Sequence, residues 1–313
     1  MIKITKYNSL LKQEWDYLVE TAKNNLFLFK RDYMEYHKDR FSDYSLMFYK
    51  DDNLIALLPA NIKNNIIYSH NGLTYGGLIY NTKITTTTII EIFDYLIQFL
   101  KQENIEYLYY KAVPYIFNTY PAQEDLYALF RFKAELYRVD AFSAIDLHNM
   151  IGLSHGKRNA INKSAKYNLH IEESTDFNTF FNDIVNKQLQ NKYKVVATHT
   201  PEEMAHLKNQ FPQNIVFYKV SYNNEMVAGA VLYKFSGIVH TQYIFSNDTG
   251  KKVKAVEFLV YFLIKKYQTT NRWFTFGIST EQDGLILNSG LLSFKEEFGS
   301  RTIVCQHFKL PIQ

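Results

Sequence analysis

Five residues near the middle of the chain, Gly152-Leu153-Ser154-His155-Gly156, have the G-x-S-x-G spacing of a nucleophile elbow, a strand-to-helix turn that exposes a serine for acyl chemistry. Asp248 or Asp283, and then His307, follow in the order Ser, Asp, His that such a triad takes. The residues after the motif oppose this reading. Lys157-Arg158-Asn159, with Asn162, Lys163 and Lys166 beyond, make a helix with a wet, basic face, whereas an elbow helix packs beneath its sheet. A serine hydrolase using Ser154 therefore stands as an alternative.

Other chemistries have less support. Nine histidines are scattered, and none forms an H-E-x-x-H or a short-spaced pair with a carboxylate, so no metal is expected. Cys305 is the one cysteine, which excludes an internal disulfide and a multi-cysteine zinc site. There is no G-x-x-x-x-G-K-[ST] loop, and Gly72 to Gly77 does not complete G-x-G-x-x-G. The segment from Ser69 to Gly77 either lines a cleft, presenting Tyr75 to a ligand, or is a tight bulged connection; its glycines suit both.

Charge is placed more tellingly than it is counted. The whole chain carries a formal +4, too small a surplus to diagnose a nucleic-acid binder. Yet His148 to Ile171 holds Lys157, Arg158, Lys163 and Lys166 with no acid, and Thr249 to Thr280 holds six bases against Glu257. Those segments carry +4 and +5, leaving −5 on the rest. Within the second, Gly250-Lys251-Lys252-Val253-Lys254 stands between a strand and the start of a long helix, where backbone N–H groups and the helix dipole favour an anion. Downstream, the apolar run Phe274-Thr275-Phe276 ends in Gly277-Ile278-Ser279-Thr280-Glu281, a strand end that delivers polar groups to a cleft. Lys295, between Phe294 and Phe298, can pack its stem while its ammonium reaches an anionic group.

These residues need elements to position them. At 313 residues, 47% hydrophobic and 21% charged, the chain has the balance of a globular protein and the length of two domains, which excludes disorder and fibrous classes. The N-terminus lacks a signal-like apolar stretch, and the longest apolar window, Val256 to Ile264, is interrupted by Glu257, so the expectation is a soluble, cytoplasmic protein without a transmembrane segment. Periodicity predicts helices over 10–22, 32–40, 85–103, 176–192, 201–210 and 253–267 and strands over 3–7, 45–49, 54–61, 66–69, 105–110, 215–220, 226–234, 239–245, 273–276 and 302–310. The order of two helices, a three-stranded meander, one long helix and one strand occurs twice. That order predicts two tandem α/β units with mixed sheets, divided as 1–147 and 148–313.

The second half resembles the GNAT-type acyltransferase superfamily, in particular the tandem-domain branch with Fem-type peptidoglycan aminoacyl transferases and polysaccharide-associated N-acetyltransferases. The matching residues are the basic helix Lys157 to Lys163, the strand pair through Ala228-Gly229-Ala230-Val231 and His240-Thr241-Gln242-Tyr243, the strand leading to Gly277, and Phe294-Lys295-Glu296-Glu297-Phe298-Gly299. The first half matches by element order. Where single-domain members carry [RQ]-x-x-G-x-[GA] before the long helix, this chain has Gly250-Lys-Lys-Val-Lys-Ala255.

The resemblance implies two GNAT-like domains and acyl transfer to an amine by direct attack, with N–H donors stabilising the oxyanion. It implies catalytic roles for Lys295, Glu281 (as base) and Tyr243, donor binding at Gly250, Lys251, Lys252 and Lys254, and substrate contacts at Lys157, Arg158, Gln242, Tyr75 and Ser279. The implied donor is acyl-CoA, acetyl-CoA in the simplest case, and the implied acceptor is an amine of a small or nucleotide-linked amino-sugar or cell-envelope precursor. A Fem-like aminoacyl-tRNA-dependent transfer is the alternative, and a non-catalytic binding protein on the same scaffold is a further one.

Overall fold

The computed structural model describes residues 1–312, apart from the Tyr193 side chain. The chain divides into two compact units. One holds Met1–Asp140, Thr280–Ile286 and the end of the chain from Val304; the other holds Ala141–Ser279 and Leu287–Ile303. These compact units differ from the expected division at 147/148 in two respects. The first break falls at 140/141, inside the strand Glu135–Asp146, and two later segments return to the first unit. The return has a packing cause. From His307 to Pro311 the last strand pairs antiparallel with Tyr107–Lys111, and its Phe308 and Leu310 are buried in the core of the first unit.

In the first unit, Ile2–Lys6, Leu46–Lys50, Asn53–Leu58 and Ile79–Tyr80 form one antiparallel sheet. Its hairpin turns at Asp51 and Asp52, both left-handed, as acidic turn residues tolerate. A second set of strands runs in the order Arg301–Pro311, Tyr107–Lys111, Ile66–Tyr68, Asn61–Lys63. The helix Thr86–Gln102 starts where the Thr85 side chain accepts the Thr88 N–H, and it buries Ile89, Ile92, Phe93, Leu96 and Leu100 at helical spacing. These pack with Ile67, Leu108, Tyr110, Phe308 and Leu310 from one face of the strands. By strand alternation the other face presents Tyr68, Tyr107, Tyr109, His307 and Lys309.

The second unit contains, from Ala141 onward, the end of β1 (Glu135–Asp146), with β2 (His170–Glu173), β3 (Ile215–Tyr222), β4 (Glu225–Phe235), β5 (Ile238–Ser246) and β6 (Trp273–Ile278), paired in the spatial order β2-β3-β4-β5-β6-β1. Its helices include α1 (His155–Ser164), α2 (Pro201–Gln210), α3 (Asp248–Val253), α4 (Ala255–Tyr267) and α5 (Ser289–Glu296). Helix α2 begins as its sequence predicts, with a reciprocal capping box between Thr200 and Glu203 and Pro201 in the first turn.

Helix α4 lays Leu259, Val260, Leu263 and Ile264 on one face of that sheet, against Ala228, Ala230, Leu232, Val239 and Phe274. Each such fully buried side chain contributes about 1.5–3 kcal/mol. The opposite face is aromatic, with Phe180 4.9 Å from Phe217 and Phe181 edge-on to Tyr243 at 5.0 Å. Gly229 in β4 is required there, since a Cβ on it would come within 2.8 Å of both the Phe180 and Phe217 rings. Strand β1 carries no clean apolar alternation and was not among the expected strands, nor was α5 among the expected helices. No helix among the described residues is long and apolar enough to cross a membrane.

Candidate active site

Strands β5 and β6 run parallel as neighbours, and their pairing is short. Ile238, Val239 and His240 match Trp273, Phe274 and Thr275, and there the shared register stops. Each strand carries a β-bulge beside that point. Against β4, Val231 matches Tyr243 and Leu232 matches Thr241, so Gln242 is the extra residue. Against β1, Thr275 matches Ala144 and Gly277 matches Ser143, so Phe276 is extra. Bulges bend a strand and increase its twist, which here turns two parallel neighbours away from each other and leaves facing backbone edges without a ladder.

The floor of this opening is polar and buried. The His240 ring is bonded through Nδ1 to Thr275 Oγ1 at 2.9 Å and lies parallel to Phe142. Thr241 Oγ1 donates to the Thr275 carbonyl at 3.1 Å. Burial, with a smaller push from the nearby Lys295 charge, lowers the His240 pKa to about 3, so the ring is neutral at ordinary pH. A neutral imidazole of such low basicity orients Thr275 and is a poor proton acceptor.

Lys295, on α5, is 4% exposed and has no carboxylate partner. Its ammonium donates to the carbonyls of Gly277 (3.0 Å) and Ile278 (2.6 Å) and to Ser279 Oγ (2.8 Å), which uses all three of its protons. Burial brings its pKa down to about 8. Lys295 and Ser279, both singled out in the sequence, are therefore brought together as a clamp on the end of β6. Gly277 sits in that clamp at φ +74°, and a Cβ there would lie 3.4 Å from His240 Cε1.

The other candidates fall in several places. Gln242 is half-buried at the β5 bulge. Tyr243 is buried, its hydroxyl 2.7 Å from His199 Nδ1, and burial pushes its pKa up to about 12. Gly250 donates its N–H to Asn247 Oδ1 at 2.9 Å, because the segment folds as α3 and Asn247 caps it. Lys251 reaches Asp248 and Gln188, Lys254 adopts a left-handed conformation between α3 and α4 and lies 3.7 Å from Glu257, and Lys252 is exposed. Lys157 is 4% exposed, paired with Glu297 at 3.0 Å and seated over the Phe294 and Phe298 rings, while Arg158 points to solvent. Tyr75 and Glu281 belong to the first unit, Tyr75 buried against Phe117 and Glu281 exposed.

The hydrolase constellation has other employment. Ser154 Oγ accepts the Lys157 N–H at 3.1 Å as the cap of α1, Asp248 pairs with Lys251, Asp283 with Arg138, and His307 with Asp140. Ser154→Ala is accordingly expected to cost about 1 kcal/mol of stability, read from a denaturant titration, with activity unchanged. No group of three metal-ligating side chains occurs among the described residues.

Reasoning from sequence missed His240 and Thr275 as site residues. The signal was present in part, since a histidine and threonines interrupt two strands that are otherwise apolar.

Neither a family model nor a curated protein sequence matches the chain. Solved structures do match in fold. FemX superposes with a TM-score of 0.68 at 10% identity, covering 99% of this chain and 97% of its own. The C-terminal DUF2156 domain assigned to a lysylphosphatidylglycerol synthetase of Agrobacterium fabrum gives 0.63 at 10%, covering 98% and 92%. A tandem GNAT protein from the clavulanic acid biosynthesis pathway gives 0.55 at 8%, covering 100% and 99%. The chain thus has the fold of two tandem GNAT-like domains of the Fem type.

Proposed function

We propose that this protein is an N-acyltransferase that moves an acyl group from an activated donor to a primary amine at the opening between β5 and β6. The observation that carries the reading is the three-residue parallel pairing that ends in paired bulges. Facing edges without a ladder bind an extended chain with amide groups, as the pantetheine arm of acyl-CoA is, by the same hydrogen bonds that add a strand to a sheet. Backbone N–H groups near the Gln242 bulge would receive the charge that develops on the carbonyl oxygen.

The amine attacks the carbonyl carbon, the C–N bond forms, and the C–S bond breaks. The departing sulfur takes the proton that the attacking nitrogen releases. The lysine clamp holds Gly277 to Ser279 in place, and His240 holds Thr275. Fold similarity to FemX and to a tandem GNAT protein supports the class of chemistry, while the acceptor is proposed as an amino-sugar or cell-envelope precursor from the sequence resemblance.

One observation favours a second donor. The Gly250 N–H is taken by Asn247, and Lys251 and Lys254 have acidic neighbours, so this segment is less open to a pyrophosphate than a free glycine loop. An aminoacyl-tRNA, whose activated ester needs no pyrophosphate cradle, is the second reading. Calorimetry with acetyl-CoA and with free CoA, beside transfer assays with aminoacyl-tRNA, separates the two. Binding of acetyl-CoA and mass gain of an amine acceptor is the expected result; no binding or transfer with either donor overturns the proposal.

A further inference from the structure

Three side chains floor the opening between β5 and β6, and their hydrogen bonds fix where the protons lie. Thr241 Oγ1 donates to the Thr275 carbonyl at 3.1 Å, which places its proton. Thr275 is fully buried, and among the described residues its Oγ1 has His240 Nδ1, at 2.9 Å, as its partner and no other. Were the imidazole proton on Nδ1, the Thr275 hydroxyl would accept it and find no acceptor for its own. A buried hydroxyl proton left over is costly, so Thr275 donates and Nδ1 accepts. Burial, with the Lys295 charge, keeps the ring neutral at ordinary pH, and a neutral imidazole carries one N–H, which then stands on Nε2. Nε2 has no partner among the described residues.

The direction of that N–H follows from what surrounds the ring. Phe142 covers one ring face, with 15° between the planes and 5.8 Å between centroids. Nδ1 is turned to Thr275, and Cε1 lies 3.4 Å from the place a Cβ on Gly277 would take. Beyond the adjoining residues, nothing else described comes within 4 Å of that place, so the missing side chain of Gly277 leaves room against the ring. Nε2 is the next ring atom after Cε1. It therefore borders that room, at the end of β6 where the three-residue pairing with β5 has stopped. His240, Thr241, Thr275, Gly277 and Phe142 all belong to the second unit.

We infer that His240 is a catalytic residue of the transfer, a neutral imidazole whose Nε2–H donates to the carbonyl oxygen of the activated donor. The role rests on the transfer reading above, and it holds for an acyl thioester and an aminoacyl ester alike, since both present that oxygen. As the amine nitrogen bonds to carbon, the C=O π pair moves onto oxygen, and the bond from Nε2–H strengthens with the charge it meets. When the oxyanion collapses, the C–S or C–O bond breaks and the leaving atom takes the proton that nitrogen releases. His240 gives up no proton at any stage. Thr275 is the positioning residue, because its hydroxyl holds the ring in the tautomer that presents a donor. A base at this place would need a lone pair on Nε2, and the bond from Thr275 puts the lone pair on Nδ1 instead.

Two measurements on the full chain test this. Long-range 1H–15N correlation of the wild type should show His240 as the Nε2–H tautomer, unchanged from pH 5 to pH 9; an Nδ1–H tautomer, or a ring that titrates in that range, overturns the inference whether or not any variant folds. Kinetics then use whichever donor the wild type accepts. His240→Phe should lower kcat about 100-fold with KM little changed, the effect of losing one oxyanion donor. His240→Gln, whose side-chain amide brings an N–H near the place of Nε2, should recover at least 10-fold of that loss. Thr275→Val, which frees the ring to take either tautomer, should lower kcat about 10-fold. Equal losses in the Phe and Gln variants reduce the ring to packing and overturn the inference, as does wild-type kcat in the Phe variant. A wild type that transfers from neither donor instead fails the transfer reading itself, and this role falls with it.

Discussion

Replacing Lys295 with methionine is expected to leave a folded protein whose turnover falls about 100-fold, the effect of letting a catalytic element drift by about 1 Å. Fold and function separate here for a physical reason. Methionine matches the lysine stem in length and apolar character, and it removes a buried cation that has no carboxylate partner. Against that gain, the Gly277 and Ile278 carbonyls and Ser279 Oγ lose a donor, at about 1–3 kcal/mol for each group left unsatisfied. The two terms oppose, so the melting temperature moves little while the end of β6 loses its tether. Steady-state kinetics beside a thermal melt check this, and unchanged kcat would remove Lys295 from the site.

The same variant has a signature in pH. Folded Lys295 titrates near 8 and an unfolded lysine near 10.5, so between those values the unfolded chain holds a proton that the folded one has released. Stability contributed by this group therefore rises with pH across that window and is at its lowest below pH 8. Lys295→Met should lack that rise.

Gly277→Val is expected to lower turnover at least 10-fold and stability by about 1–2 kcal/mol, because an L-residue resists a φ of +74° and a β-branched one resists it most. The new Cβ would also lie 3.4 Å from His240 Cε1, so its branches push on the ring that holds Thr275. Gly277→Ala should show the same effects at smaller size, and a valine variant with wild-type kcat contradicts the role given to this strand end.

What could be read along the chain was whatever is encoded locally. Thr200, Pro201 and Glu203 announce the start of α2 within four residues, and the apolar stripe of 85–103 announces a helix that the structure bounds at Thr86–Gln102. The two-unit α/β plan was legible from element order. Illegible were features that depend on a partner far away in sequence. The opening between β5 and β6 exists because His240 and Thr275 end a pairing and because Gln242 and Phe276 are extra relative to β4 and β1, and nothing in either strand alone records those registers. Strand β1 escaped because Arg138 and Asp140 break its apolar pattern for the sake of ion pairs. Lys157 reads as a surface base beside Arg158, yet it is buried over two phenylalanines that lie more than 130 residues downstream. Its neighbour took the solvent position instead.

The central claim is that the opening between β5 and β6 receives the activated donor. Hydrogen–deuterium exchange with and without a non-hydrolysable acyl-CoA, and in parallel with a non-hydrolysable aminoacyl-tRNA analogue, addresses it directly. Slowed exchange in 241–246 and 276–279 with one of the two donors is the predicted result, and Lys295→Met should weaken that protection. Protection by both donors confined to other segments, or no protection by either, would contradict the account.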